Sequence, residues 1–150
     1  MLQLDIHTFS RKFFHEYAAW FEDDSVKKYL GGIDAEWLEH IENQSDGLEL
    51  AICCGDELFC VLGLVYPTDE HNYYVITNIA VKPKYRSRGI AEQALQLIMQ
   101  KAEFQKSDEW RCYVESDNIP AQKLFEKLQW NKLSENDSML EYRQKKSSNN

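Results

Sequence analysis

No stretch of the 150-residue sequence approaches the roughly 18 consecutive apolar residues of a membrane-spanning helix. Its opening, MLQLDIHTFSRKFF, lacks the charged start, apolar block and small-residue cleavage site of a secretory signal, so a cytoplasmic location is the expectation. The four cysteines, Cys53, Cys54, Cys60 and Cys112, form no CxxC pair and no Cys/His ligand spacing. They are expected as buried free thiols in a reducing compartment, with no metal. Positive charge is also scarce: 17 Lys and Arg against 25 Asp and Glu give a net charge of −8. A chain this acidic is not built to cover phosphate backbones, which argues against nucleic acid and for a cationic partner. Neither nucleotide signature, GxxxxGKS/T or GxGxxG after a first strand, is present.

What remains is a soluble globular chain, 43% hydrophobic and 28% charged, of the size of one ordinary domain. Residues 2–6 read as a short strand, and Ser10 as the cap of a helix burying Phe13, Phe14, Tyr17 and Phe21. EDDSVKKYLGG reads as a polar stretch closed by a mobile Gly31-Gly32 loop, before a second helix capped by Asp34. Residues 48–55 and 57–67 read as a hairpin turning at Gly55-Asp56, and residues 72–81 as a third long strand. A helix over 89–104 should bury Ile90, Ala94, Leu97, Ile98 and Ala102. Strand 109–116 follows, then a helix with Asn118 as its cap and Pro120 in its first turn. Two short strands complete the order, near 130–133 and 139–143, before a polar tail over 144–150. A helix joining the third and fourth long strands implies that these two run parallel. The expected fold is α/β: one mixed, mostly antiparallel sheet with a central parallel strand pair and helices on both faces. A single domain over 1–143 is expected.

One stretch contradicts the acidic background. KPKYRSRGIAEQAL, starting at Lys82, holds Lys82, Lys84, Arg86 and Arg88 and no carboxylate before Gly89. A helix that starts there presents unpaired N–H groups and its positive dipole end, where anions bind. Gly89 permits close backbone approach, and the arginines add charge-assisted hydrogen bonds. The loop suits a pyrophosphate.

NIAVKPKYRSRGIAEQALQLI resembles the central acyl-CoA motif of the GNAT superfamily of N-acetyltransferases, Arg/Gln-x-x-Gly-x-Gly/Ala, met at Arg86, Gly89 and Ala91. The family's second motif, Asn-x-x-Ala-x-x-Leu-Tyr-x-x-x-Gly-Phe, is met by NIPAQKLFEKLQW at Asn118, Ala121 and Leu124. The element order is also that of the family. The resemblance implies acetyl-CoA as co-substrate, no metal, and direct transfer of the acetyl group to a primary amine. It implies that Ser87 and the amides of Arg88, Gly89, Ile90 and Ala91 hold the pyrophosphate of CoA. Ile79, Ala80 and Val81 would pair with pantetheine, an amide near Ile79 or Ala80 polarising the thioester carbonyl. Asn118 would touch the pantetheine arm, a role compatible with capping its helix.

Two positions depart from the family pattern. Phe125 stands where a tyrosine often protonates the departing thiolate, leaving water or Tyr113 as the proton source. Tyr73 stands where relatives carry a glutamate base, and the nearest candidates are Glu70 and His71. The acceptor side is expected from Trp20, Glu22, Asp23, Asp24 and Tyr29, where carboxylates and aromatics suit a cationic amine. Acceptors then include a small amine, an aminoglycoside-like sugar or a peptide N-terminus, with an oligomer possible. The rivals are a non-catalytic acyl-CoA-binding or regulatory module and a protein-interaction domain whose basic loop meets an acidic partner.

Overall fold

Alternating and β-branched segments build seven strands: β1 (Asp5–Thr8), β2 (Gly47–Cys54), β3 (Glu57–Val65), β4 (Tyr74–Val81), β5 (Glu109–Glu115), β6 (Asn131–Glu135) and β7 (Met139–Lys145). The structure is a computed structural model that describes residues 2–30, 32–136 and 138–145. The strands form one sheet in the order β1-β2-β3-β4-β5-β7-β6. All pairings are antiparallel except β4 with β5, the parallel pair expected from the intervening helix. Most of the polar tail, residues 146–150, and Gly31 of the expected glycine loop lie outside the described residues.

Among the described residues, five α-helices cover the sheet: α1 (Phe14–Ala19), α2 (Asp24–Leu30), α3 (Ala35–Asn43), α4 (Ile90–Gln100) and α5 (Ile119–Lys127). Residues of α1, α2 and α3 (Tyr17, Val26 and Leu38) pack on one face, with Ala51, Val61 and Ala80 of the sheet. Those of α4 and α5 pack on the other, around Ile52, Leu62, Ile76 and Trp110. Trp110 is fully buried and stacks on Tyr74 with ring centroids 4.4 Å apart, joining the parallel pair at its paired end.

Three local expectations need correction. EDDSVKKYL, read as a polar stretch between the first two helices, contains α2. Asp23 caps it, its Oδ1 accepting from the Ser25 and Val26 amides at 3.0 and 3.2 Å, and Val26 is buried. Ser10 is extended and makes no capping hydrogen bond, so a 3-10 turn at Arg11–Phe13 leads into a short α1. In α4 the chain breaks after Gln100 into a second 3-10 turn at Ala102–Phe104, and Leu95 is buried where Leu97 is exposed.

Candidate active site

The parallel pair is bonded only at Tyr74↔Trp110, Val75↔Arg111 and Ile76↔Cys112. Beyond that the two strands part, and residues 76–81 of β4 and 112–115 of β5 form opposite walls of a cavity of about 880 Å³. The parting starts at a bulge. Leu64 of β3 pairs with Ile76, and its neighbour Gly63 pairs with Asn78, so Thr77 is left unmatched. A bulge re-aims side chains and ends pairing. From Thr77 onward, β4 therefore offers backbone groups toward the cavity that β5 does not use.

The N-terminus of α4 meets the same cavity, through Arg86, Ser87, Gly89 and Ala91. Its first intrahelical bond runs from the Gln93 amide to the Gly89 carbonyl, leaving the amides of Ile90, Ala91 and Glu92 without helical acceptors. Ser87 and Gly89 both take positive φ, 63° and 76°, on either side of Arg88. Such alternation turns successive N–H groups into one concavity that suits an anion. A Cβ at Gly89 would meet nothing within 4 Å, so its glycine is required by the left-handed backbone and not by crowding.

The four cations of this loop are not all aimed at an anion. Arg86 forks onto Asp23 with distances of 2.9 and 3.1 Å, which holds that carboxyl well below the usual range. Lys82 lies 2.7 Å from Glu57, and Lys84 3.9 Å from the same oxygen. Arg88 packs over the Tyr85 ring and pairs with no carboxylate among the described residues. The loop is thus braced by Asp23 and Glu57, and its anion-binding capacity rests mainly on backbone amides. Lys123 of α5 also lines the cavity, a cation that the sequence motif does not flag.

Asn118 caps α5, its Oδ1 accepting from the Ala121 amide at 3.3 Å, and lines the cavity as well. Phe125 is buried, its ring 4.8 Å from Trp130 and 5.8 Å from Tyr142. Tyr113 projects from the opposite wall with its hydroxyl 3.2 Å from Glu141 Oε2; burial, then the Glu141 charge, pushes its phenol up to about 12. Ile79, Ala80 and Val81 all line the β4 wall.

Glu70 and His71 do not reach this site. They are exposed in the loop before β4, where His71 Nδ1 lies 3.2 Å from the Tyr73 hydroxyl. At about 3.3 Å per residue, even Tyr74 at the strand's start is roughly 16 Å from Ile79. Of the expected acceptor residues, Tyr29 lines the cavity. Trp20 is core, Glu22 and Asp24 are exposed, and Asp23 is committed to its cap and to Arg86.

The residue that sequence reasoning missed is Glu49. It lies opposite Gly63 on β3, which lies opposite Asn78 on β4, so the three form one row across the sheet. A Cβ at Gly63 would collide with Asn78 Oδ1, Thr77 Oγ1 and Glu49 Oε1; without one, Glu49 Oε2 accepts from Asn78 Nδ2 at 2.8 Å. Thr77 Oγ1 donates to Asn78 Oδ1 at 3.0 Å. Glu49 is only 7% exposed, and burial raises its carboxyl to about 7, against a smaller lowering by Asn78. A lone carboxylate inside the apolar run LELAICC was the available signal.

A mixed sheet parted at its parallel pair, with a helix N-terminus facing the gap, is the architecture of an acyl-CoA-dependent transferase of the GNAT type. The model of the acetyltransferase (GNAT) family matches residues 7–130, and the chain belongs to that family. Among solved structures it is similar to an acetyltransferase from Thermus thermophilus, with TM-score 0.81, 16% identity, and coverage of 96% of this chain and 97% of that one. It is similar to spermidine N-acetyltransferase from Vibrio cholerae, solved with CoA and spermine, with TM-score 0.79, 13% identity and coverage of 96% of both chains. A third is aminoglycoside N(6')acetyltransferase from Legionella pneumophila, with TM-score 0.76, 10% identity and coverage of 95% and 92%. These likenesses establish the fold. No curated protein matches the sequence significantly. No helix among the described residues is long and apolar enough to cross a membrane.

Proposed function

We propose that the chain, as a single domain over 1–143, is an N-acetyltransferase that moves an acetyl group from acetyl-CoA to a primary amine by direct transfer. The observation that carries this reading is the parted β4–β5 cleft, with free helix amides at one end and a buried carboxylate near the other. In it, Ser87, Arg88, Gly89, Ile90 and Ala91 hold the pyrophosphate through backbone N–H groups, with Lys123 adding charge. The free edge of Ile79, Ala80 and Val81 pairs with pantetheine as an added strand does, aiming the thioester at the bulge. Asn118 fixes the far side of that arm. Arg86 acts indirectly, by pinning the loop to Asp23. That one similar structure holds CoA and spermine, and another is an aminoglycoside acetyltransferase, supports an amine acceptor.

Phe125 donates no proton, and none is essential. A thiolate whose acid has pKa about 8.5 lies only about 2 kcal/mol above its protonated form at pH 7. The Tyr113 hydroxyl donates its one proton to Glu141, so it reaches a departing thiolate only by leaving that partner.

Incubation with acetyl-CoA, an amine panel and a thiol reagent tests the reading. Amine-dependent CoA release that rises with pH is the expected result. Tight CoA binding without release from any amine supports instead a non-catalytic acyl-CoA-binding module, which the buried Phe125 favours.

A further inference from the structure

Helix α2 crosses the cleft from one rim to the other. Before its first residue, Asp23 holds Arg86 of the β4–α4 loop. Near its end, Lys28 Nζ lies 2.8 Å from Asp117 Oδ2, and the Tyr29 hydroxyl lies 3.2 Å from the Asp117 carbonyl and 3.3 Å from its Oδ1. Asp117 stands in the turn between β5 and α5, directly before Asn118. Between these anchors Val26, Tyr29 and Leu30 line the cleft. Tyr29 and Leu30 also line an adjoining cavity of about 190 Å³ that contains the Glu49 side chain. We propose, building on the acetyltransferase reading, that α2 is a strap closing over the cofactor arm and that Asp117 is its latch, a positioning residue whose release frees CoA and withdraws a wall of the Glu49 cavity.

Burial marks α2 as the part that moves. Val26 alone of its residues is buried, whereas α4 buries Ile90, Ala94, Leu95 and Ile98. Elements with few buried apolar contacts are those that open locally. The chain can also bend on either side of α2. Asp23 leaves the preceding 3-10 turn in extended backbone, and a Cβ at Gly32 would meet nothing within 4 Å.

The two anchors differ in strength, which decides the end that opens. Asp23 both caps α2 and receives two bonds from the Arg86 guanidinium, with side chains 29% and 40% exposed. Such a fork is the stronger kind of ion pair. Lys28 and Asp117 meet through one contact between side chains 57% and 59% exposed. Exposed pairs of this kind are weak and screened by salt. The Asp23 end is therefore the hinge and the Asp117 end the latch.

Position gives the latch its consequence. Asn118, the next residue, fixes one side of the cofactor arm in the proposed reading, so the latch ties that grip to the placement of Tyr29 and Leu30. On the opposite face of the sheet Lys127 of α5 reaches Glu92 of α4 at 3.2 Å, and both residues line the cleft. An arm in the cleft thus lies between two ionic bridges. Buried faces fix α4 and α5, Phe125 among them, so α2 is the bridge that swings.

Hydrogen exchange and cofactor release on the full chain test this. Amides of α2 are expected to exchange faster than those of α4, about 5-fold faster again in Asp117→Asn, and to slow when CoA saturates the chain. Etheno-CoA, displaced by excess CoA and followed by its fluorescence, is expected to leave about 5-fold faster from Asp117→Asn and from Lys28→Met. The double variant should release it no faster than either single one, because both changes open the same latch. Added salt should speed release from the wild type more than from the variants. The variants should also raise the KM for the amine while unfolding in urea at the wild-type midpoint. Wild-type release rates in the single variants, additive effects in the double variant, or α2 amides as protected as those of α4 would overturn the strap. Etheno-CoA that binds while the latch variants change nothing sinks the strap alone; etheno-CoA that does not bind sinks the acetyltransferase reading and the strap together. Binding without amine-dependent turnover leaves the strap test in force, because exchange and release need no chemistry.

Discussion

Glu49 joins stability to chemistry at the scale of one residue. Its folded carboxyl titrates at about 7 against an ordinary 4.5, so between those values the folded state holds a proton that the unfolded chain has released. Stability from this group is complete below about 4.5 and is lost as pH rises through about 7, amounting to about 3 kcal/mol. Glu49→Gln, which keeps an acceptor for Asn78, should match the wild type near pH 4.5 and exceed it at pH 8 by up to that amount. Urea unfolding at the two pH values checks this, and parallel pH dependences would refute it. Gly63→Ala inserts a methyl among Thr77, Asn78 and Glu49, and should cost about 1–3 kcal/mol. Turnover should fall with acetyl-CoA affinity unchanged, as measured by calorimetry. No local pattern announced this row, because Glu49, Gly63 and Asn78 meet only through the register of three strands. Glu70 and His71 are close to β4 in sequence, yet they sit at the wrong end of it.

Elements with a strong local signal were legible: the hairpin at Gly55-Asp56, the cap of α5 at Asn118 and the run from β4 into α4 all follow from their own residues. The motif around Gly89 was legible for the same reason, since a loop that exposes consecutive amides is built from contiguous residues. Gly89→Ala forces an alanine into left-handed backbone and should cost about 1–2 kcal/mol, with weaker acetyl-CoA binding in the same titration. Helix α2 was hidden because only Val26 and Leu30 mark its apolar side amid charged neighbours. What holds it in place lies far off in sequence: Asp23 pairs with Arg86, and Lys28 and Tyr29 reach Asp117. These contacts bind α2 to both rims of the cleft. Asp23→Ala removes the cap of α2 and the partner of Arg86, and should lower unfolding free energy by about 1 kcal/mol or slightly more, measured by urea titration.

Across the molecule, the sheet divides the labour. The α4–α5 face carries the core with Trp110 and Phe125, the α1–α3 face carries the Glu49 cavity, and the parted strands connect the two sides. The mixed topology was legible in the order of elements, whereas the parting of β4 from β5 depends on a bulge at Thr77 that residue type does not reveal. Cysteine burial follows the same division: Cys53, Cys60 and Cys112 are buried and Cys54 is half-buried, so a thiol reagent should meet one fast group in the folded chain and all four in denaturant. Amide chemical shifts followed during an acetyl-CoA titration test the central claim most directly. The account expects the largest changes at Arg88, Gly89, Ile90 and Ala91, with a second set at Ile79, Ala80 and Val81. Saturation by acetyl-CoA with those amides unmoved would contradict it.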